Sequence, residues 1–242
     1  MAARKGGGRK SKGGGRKAKG GSGPTGRGIA SKVKSAKGRK ISSTRWLQRQ
    51  LNDPYVTEAK RRGFRSRAAF KLMELDDKFG LLGTNKRVVD LGAAPGGWSQ
   101  VAVERCRNGR VVALDMQEMD PIAGVEILTL DFMDDVAPAQ LLAALGGPAD
   151  VVLSDLAPSS TGHGSTDHLR IMAILELALD FAVEALAPGG AFVGKALQGG
   201  TEDQVLKRLK QYFKSVRHAK PPASRADSRE VYVVATGFRR SG

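Results

Sequence analysis

The stretch Val88-Val89-Asp90-Leu91-Gly92-Ala93-Ala94-Pro95-Gly96-Gly97-Trp98 decides the fold. It reads as a buried strand, a glycine-rich turn and the start of a helix. Such a turn lets a ligand approach backbone that any side chain would block. The dinucleotide fingerprint Gly-x-Gly-x-x-Gly does not fit, because it needs glycine at position 94 and Ala94 is there.

Outward from this turn the pattern alternates. Strand-like runs lie at 87–91, 110–115, 126–130, 150–155, 190–196, 215–219 and 230–236. Helix-like runs lie at 97–107, 137–145, 168–187 and 201–213. Near-continuous apolar strands alternating with helices predict a doubly wound α/β fold with a mostly parallel sheet. Pro188-Gly189-Gly190 is expected to be a turn that stops the long helix before strand five. The loop from Pro221 to Arg229 has no room for a helix, so the last two strands are expected to pair as an antiparallel hairpin.

Upstream, Ser42-Ser43-Thr44 is expected to cap a short helix through Gln50, which Asn52-Asp53-Pro54 breaks. Lys60-Arg61-Arg62-Gly63-Phe64-Arg65-Ser66-Arg67 is a basic cluster with an aromatic inside it. Ser66 is expected to cap a helix through about Phe79, with Ala69, Phe70, Leu72 and Met73 on its apolar face.

Charge divides the chain into a tail at 1–40 and one domain at 41–240. Residues 1–40 carry 14 Lys and Arg, no Asp or Glu, and 12 of the 31 glycines. The net charge is +16, and +14 of it lies there. Gly-Gly-Gly-Arg-Lys occurs at 6–10 and again at 13–17, which is low complexity rather than a structural repeat. With almost no large apolar side chains, this tail is expected to be disordered and to attract a polyanion, most simply nucleic acid. No apolar run of about 18 residues is present, so no membrane span is expected. The single cysteine, Cys106, excludes an intrachain disulfide and a cysteine zinc cluster, and it fits a reducing cytoplasm. No metal site is expected, since the three histidines lack carboxylates at ligand spacing. A monomer is the default expectation.

In a doubly wound sheet ligands bind beyond the carboxyl ends of the strands, so the strand ends carry the candidate site. Strand one ends at Asp90, before the glycine loop with Gly96. Trp98 either stacks over a cofactor or fills a core gap. Strand two ends at Asp115, where a carboxylate can accept both hydrogen bonds of a ribose diol; Met119 and Pro121 follow as candidate flanks of an adenine. Strand three ends at Asp131-Phe132, and strand four at Ser154-Asp155-Leu156-Ala157-Pro158. The last of these lacks the aromatic that base N-methylating sites place there. Cys106 is poorly placed as a nucleophile, so an oxygen acceptor is favoured. Strand five carries Lys195 inside an apolar run, which is costly unless it is paired or emerges at a site. Strand seven opens with Ser228-Arg229-Glu230-Val231-Tyr232.

These residues resemble the FtsJ/RrmJ family of RNA 2'-O-ribose methyltransferases. The family's Lys-Asp-Lys-Glu tetrad is matched in order and context by Lys71, Asp155, Lys195 and Glu230, and the likeness spans roughly residues 42–238. The resemblance implies a Rossmann-like methyltransferase fold with seven strands. It also implies S-adenosylmethionine as co-substrate, held by Gly96, Trp98, Asp115, Asp131 and Asp155. It is strongest toward bacterial members that methylate a uridine ribose in the A-loop of 23S rRNA, within the large ribosomal subunit. On that reading Lys195 is the base, Asp155 orients it and the methyl group, Lys71 holds substrate, and Glu230 aligns Lys195. The surface from Arg61 to Lys71 is expected to bind phosphates without reading sequence. The alternatives are the same chemistry on tRNA and a non-catalytic RNA-binding assembly factor. A nicotinamide dehydrogenase is disfavoured by the missing fingerprint and the absence of Tyr-x-x-x-Lys.

Overall fold

A computed structural model describes residues 1, 47–48, 50–158, 161–198 and 203–239. The tail expected at 1–40 lies, apart from residue 1, outside the described residues.

Seven strands form one sheet: β1 (Arg87–Leu91), β2 (Arg110–Asp115), β3 (Val125–Thr129), β4 (Ala149–Ser154), β5 (Leu186–Leu197), β6 (Phe213–Ala219) and β7 (Glu230–Phe238). Their order is β3-β2-β1-β4-β5-β7-β6. The first five pair in parallel, and β7 runs antiparallel to both β5 and β6. The expected mostly parallel sheet with a C-terminal antiparallel hairpin is therefore present. The helices are α1 (Pro54–Arg62), α2 (Ala68–Phe79), α3 (Gly97–Arg105), α4 (Ala137–Leu145), α5 (Gly164–Ala185) and α6 (Asp203–Tyr212).

Strand side chains alternate between two cores, as the pleat requires. Val89, Leu91, Val112 and Leu114 pack with α4, α5 and α6, whereas Val88, Val111, Val151 and Val193 pack with α1, α2 and α3. Three layers result, with the central strands buried on both faces, which is why β1, β2 and β4 read as continuous apolar runs. Among the described residues no helix is long and apolar enough to cross a membrane.

Three local expectations change. Asn52-Asp53-Pro54 does follow the last helical residue, Leu51, but it also starts the next helix: Asp53 accepts a hydrogen bond from the Tyr55 amide (3.0 Å), and proline fits the first helical position, where no N–H partner is needed. Ser66 does not cap α2. Arg67 occupies that position without a side-chain cap, and the Ser66 hydroxyl is buried with no partner. Pro188-Gly189-Gly190 is not a turn between helix and strand but an irregularity inside β5, where the register against β4 shifts between Ala149 and Val151. Residues 47, 48, 50 and 51 are helical; the rest of the expected 44–50 helix lies outside the described residues.

Asp90, at the end of β1, is fully buried. Ser99 Oγ donates to its Oδ2 (2.6 Å), while Oδ1 has no partner. Burial pushes this carboxyl up to about 7, against the Ser99 hydrogen bond that lowers it. A raised carboxyl stabilises the fold fully below its unfolded value near 4, and that contribution is lost as the pH climbs through about 7. Asp90→Asn is therefore expected to remove a loss of roughly 1.4 kcal/mol per pH unit between about pH 4 and 7. Urea denaturation of both proteins across that range measures it.

Candidate active site

The topology brings distant residues to one edge. The carboxyl ends of β1 to β5 lie together, and because β7 is antiparallel its first residue, Glu230, reaches that same edge. In register, Glu230 faces Leu197 and Tyr232 faces Lys195. Lys71 arrives from the first turn of α2.

The four candidate catalytic side chains meet. Lys195 Nζ lies 2.9 Å from Asp155 Oδ1 and donates to the Asp155 backbone carbonyl (2.8 Å). Lys71 Nζ lies 2.6 Å from Glu230 Oε1. Glu230 Oε2 is 3.9 Å from Lys195 Nζ, so Glu230 is bonded to Lys71 and only near Lys195. Ser224 Oγ donates to Glu230 Oε1 (3.0 Å). The side chains of this quartet are between 12% and 18% exposed, so each charge depends on its neighbours.

A phenol that the sequence reading passed over joins the two pairs. Tyr232 O–H donates to Asp155 Oδ1 (2.6 Å), and Lys71 Nζ donates to the same oxygen of Tyr232 (3.3 Å). The available signal was its place two residues after Glu230, hence on the same face of one strand. Burial and the charges of Asp155 and Glu230 hold this phenol well above its ordinary value, so it stays an O–H donor. Burial raises Asp155, but the ammonium groups of Lys195 and Lys71, with hydrogen bonds from Lys195 and Tyr232, outweigh it and hold the carboxyl below its ordinary range.

Beside the quartet is a cavity of about 510 Å³, lined by Lys71, Asp155 and Glu230 and by the glycine loop at Gly92, Ala93, Ala94, Pro95 and Gly97. Two glycines let this loop pack closely on its neighbours. Gly92 has φ +75°, and a Cβ there would sit 2.9 Å from the Leu156 backbone; a Cβ at Gly97 would collide with the unpartnered Ser66 hydroxyl. Of the expected cofactor contacts, Trp98 and Asp155 line the cavity, whereas Gly96, Asp115 and Asp131 are not among its lining residues. The Trp98 indole is in the core: Nε1 donates to the Ala68 carbonyl (2.8 Å) and the ring packs on Tyr232. Asp115 accepts from the amides of Ala94 and Gln117 (2.9 Å each), and Asp131 accepts from the Met133 amide (3.0 Å). The exposed large apolar side chains next to them are Met116 and Met133, not Met119. Among the described residues no three His, Cys, Asp or Glu side chains converge as metal ligands would.

The basic cluster is engaged within the protein. Arg61 pairs with Glu58, Arg62 lies over Phe64 and Phe70, and Arg67 pairs with Asp53 and donates to the Ala223 carbonyl. Glu74 accepts from Tyr55 O–H (3.0 Å) and the Ala223 amide (2.7 Å), which fastens the β6–β7 loop to α1 and α2.

Comparison with known proteins places this geometry. The family model described as FtsJ-like methyltransferase matches residues 64–238. A "Ribosomal RNA large subunit methyltransferase E" of Paramagnetospirillum magneticum is 61% identical, covering 91% of this chain and 93% of its own. The protein of that name from Rhodospirillum rubrum is 59% identical, covering 98% and 92%. A crystal structure described as a ribosomal RNA methyltransferase of Plasmodium falciparum superposes with a TM-score of 0.63 at 32% identity, covering 72% of this chain and 98% of that one.

A lowered carboxyl contributes stability above its unfolded value, and that contribution disappears as the pH falls through the folded value. Asp155→Asn is expected to cost roughly 3 kcal/mol at pH 7, because it leaves buried ammonium charge unmatched. The gap from the unsubstituted protein is expected to narrow below about pH 4, where the unfolded carboxyl is protonated. Chemical denaturation at pH 7 and pH 3.5 checks both values.

Proposed function

Because the chain belongs to the FtsJ-like methyltransferase family, we propose that it transfers the methyl group of S-adenosylmethionine to the 2'-hydroxyl of a uridine ribose in 23S rRNA. The observation that carries this reading is the buried quartet Lys71-Glu230 and Lys195-Asp155 beside a glycine-built cavity. The substrate class is supported by relatives near 60% identity that are named for methylation of large-subunit ribosomal RNA. The cytoplasm and a monomeric state are part of the proposal.

The residues present fit the cofactor. The cavity volume lies within the usual range of about 300–1,000 Å³ for small-molecule sites. The loop from Gly92 to Trp98, which lines the cavity except at Gly96, would hold part of the cofactor. Gly96, Asp115 and Asp131, which stand outside the lining of the cavity, would hold the rest of the cofactor, Asp115 through the lone pairs that its carboxylate does not give to the Ala94 and Gln117 amides. When bound, S-adenosylmethionine supplies a methyl group on a sulfonium, which is a good leaving group.

What remains for the protein is to place an oxygen and remove its proton. Lys195 is the base. Its amine is held by two acceptors of one residue, the carboxylate and the carbonyl of Asp155, and Glu230 at 3.9 Å is beyond hydrogen-bond distance. A neutral amine can keep both N–H bonds to Asp155 and aim its lone pair along the third direction at the ribose hydroxyl. Asp155 thus sets the direction of the base. Glu230 anchors Lys71, whose remaining N–H holds the substrate. Tyr232 fixes the spacing between the two pairs. The Gly, Lys and Arg tail draws the polyanion toward the site, with its pull expected to weaken as salt rises.

Labelled methyl from S-adenosylmethionine is offered to undermethylated large subunits, free 23S rRNA and bulk tRNA. Label in the large subunit, reduced at least about a hundredfold in turnover by Lys195→Ala, is expected. Wild-type turnover in Lys195→Ala would remove lysine from the role of base, and label only in tRNA would move the substrate. Tyr232→Phe keeps the packing on Trp98 but loses the O–H. It is expected to lower kcat about tenfold while leaving cofactor affinity unchanged, as read by single-turnover rates and calorimetry.

A further inference from the structure

Arg65 sits in the basic run that is expected to meet RNA phosphates, but its side chain is turned toward the protein. Nη1 donates to the carbonyls of Pro95 (3.3 Å) and Asp120 (2.6 Å), and Nη2 donates to the carbonyl of Pro121 (2.8 Å). Pro95 belongs to the glycine loop; Asp120 and Pro121 belong to the connection between β2 and β3. One guanidinium therefore ties the glycine loop to a segment that starts 25 residues further along the chain. All three acceptors are neutral carbonyls, so a fork of several donors is needed to span both walls, and an ammonium on a single stem is a poor substitute.

The base of this tie is itself held. The Arg65 amide donates to Gln100 Oε1 (2.8 Å), and Gln100 Nε2 donates to the Gly63 carbonyl (3.0 Å), so α3 carries the segment that carries Arg65. Beneath the guanidinium, Gly96 takes φ +109°. A Cβ there would lie 2.5 Å from Ile122 Cδ1 and 3.3 Å from Arg65 Cδ. Ile122 is thus seated on Gly96, next to the carbonyls that Arg65 holds. Asp115 stands at the start of this connection, with its carboxylate bonded to the Ala94 amide of the opposite wall.

We propose that Arg65 is a positioning residue for the cofactor: it latches the segment 120–122 onto the glycine loop and so preforms the adenosine-side wall of the cleft. The inference rests on reading this cleft as the S-adenosylmethionine site. A wall already held in place spares the ligand the entropy of ordering it, so the latch acts on cofactor affinity rather than on the chemical step.

The test is calorimetry of S-adenosylmethionine on the full chain without RNA, for the wild type, Arg65→Gln, Arg65→Lys and Arg61→Gln, with folding checked by circular dichroism. Arg65→Gln is expected to raise the Kd at least about tenfold. The KM for cofactor should rise in parallel, with kcat at saturating cofactor within about twofold of the wild type. Arg65→Lys should fall between, and Arg61→Gln should leave the Kd unchanged. An unchanged Kd in Arg65→Gln, with or without a loss of RNA affinity, would overturn the latch and return Arg65 to the phosphate contacts. An equal rise in Arg61→Gln would also overturn it, by making the effect one of net charge. If the wild type itself bound no S-adenosylmethionine, the cofactor reading would fall and the latch with it.

Discussion

Two lysines and two carboxylates share one sheltered edge of the sheet, and none of them would be stable there alone. Taking a single charge out of water costs several kcal/mol after relaxation, and only close, well-bonded partners offset it. Here each ammonium has a carboxylate within 2.9 Å, and the Tyr232 phenol bridges the two pairs. The remainder of the architecture serves this arrangement. β7 runs antiparallel so that Glu230 and Tyr232 enter at the edge where the other strands end. The α2 helix brings Lys71 across, and Glu74 and Arg67 pin the β6–β7 loop so that Ser224 can hold Glu230.

The glycine loop, proposed to meet the cofactor, obeys a different constraint. It brings backbone close to its neighbours, which needs glycine and fixed hydrogen bonds rather than charge. Gly92, Gly96 and Gly97 permit that approach. Asp115 and Arg65 supply the ties, one accepting from the loop's amide and the other donating to carbonyls on both sides. Asp90 lies at the start of the same loop as a buried carboxyl whose charged form is disfavoured by burial.

Much of this was legible in the chain. The strands could be read because both faces of the sheet are buried, and the candidate carboxylates could be read because ligands gather at strand ends. Lys195 stood out as a charge inside an apolar run. The misreadings have one cause: local signals have two meanings. Asn52-Asp53-Pro54 breaks one helix and caps the next, and Pro188-Gly189-Gly190 bends a strand as readily as it ends a helix. The latch at Arg65 was not legible at all, because its partners lie 30, 55 and 56 residues away and are carbonyls, which every residue has. Membership of a basic run suggested an outward role, and only the packed structure turns the side chain inward.

The proposed action of the quartet on a ribose oxygen is decided by locating the transferred methyl. RNA labelled by the enzyme is hydrolysed in alkali, which needs a free 2'-hydroxyl to cleave the adjacent bond. If the quartet acts on a uridine ribose, the label is recovered in an alkali-resistant dinucleotide whose 5' member is uridine. Label recovered in a mononucleotide would place the methyl on a base and rule out the ribose oxygen as acceptor.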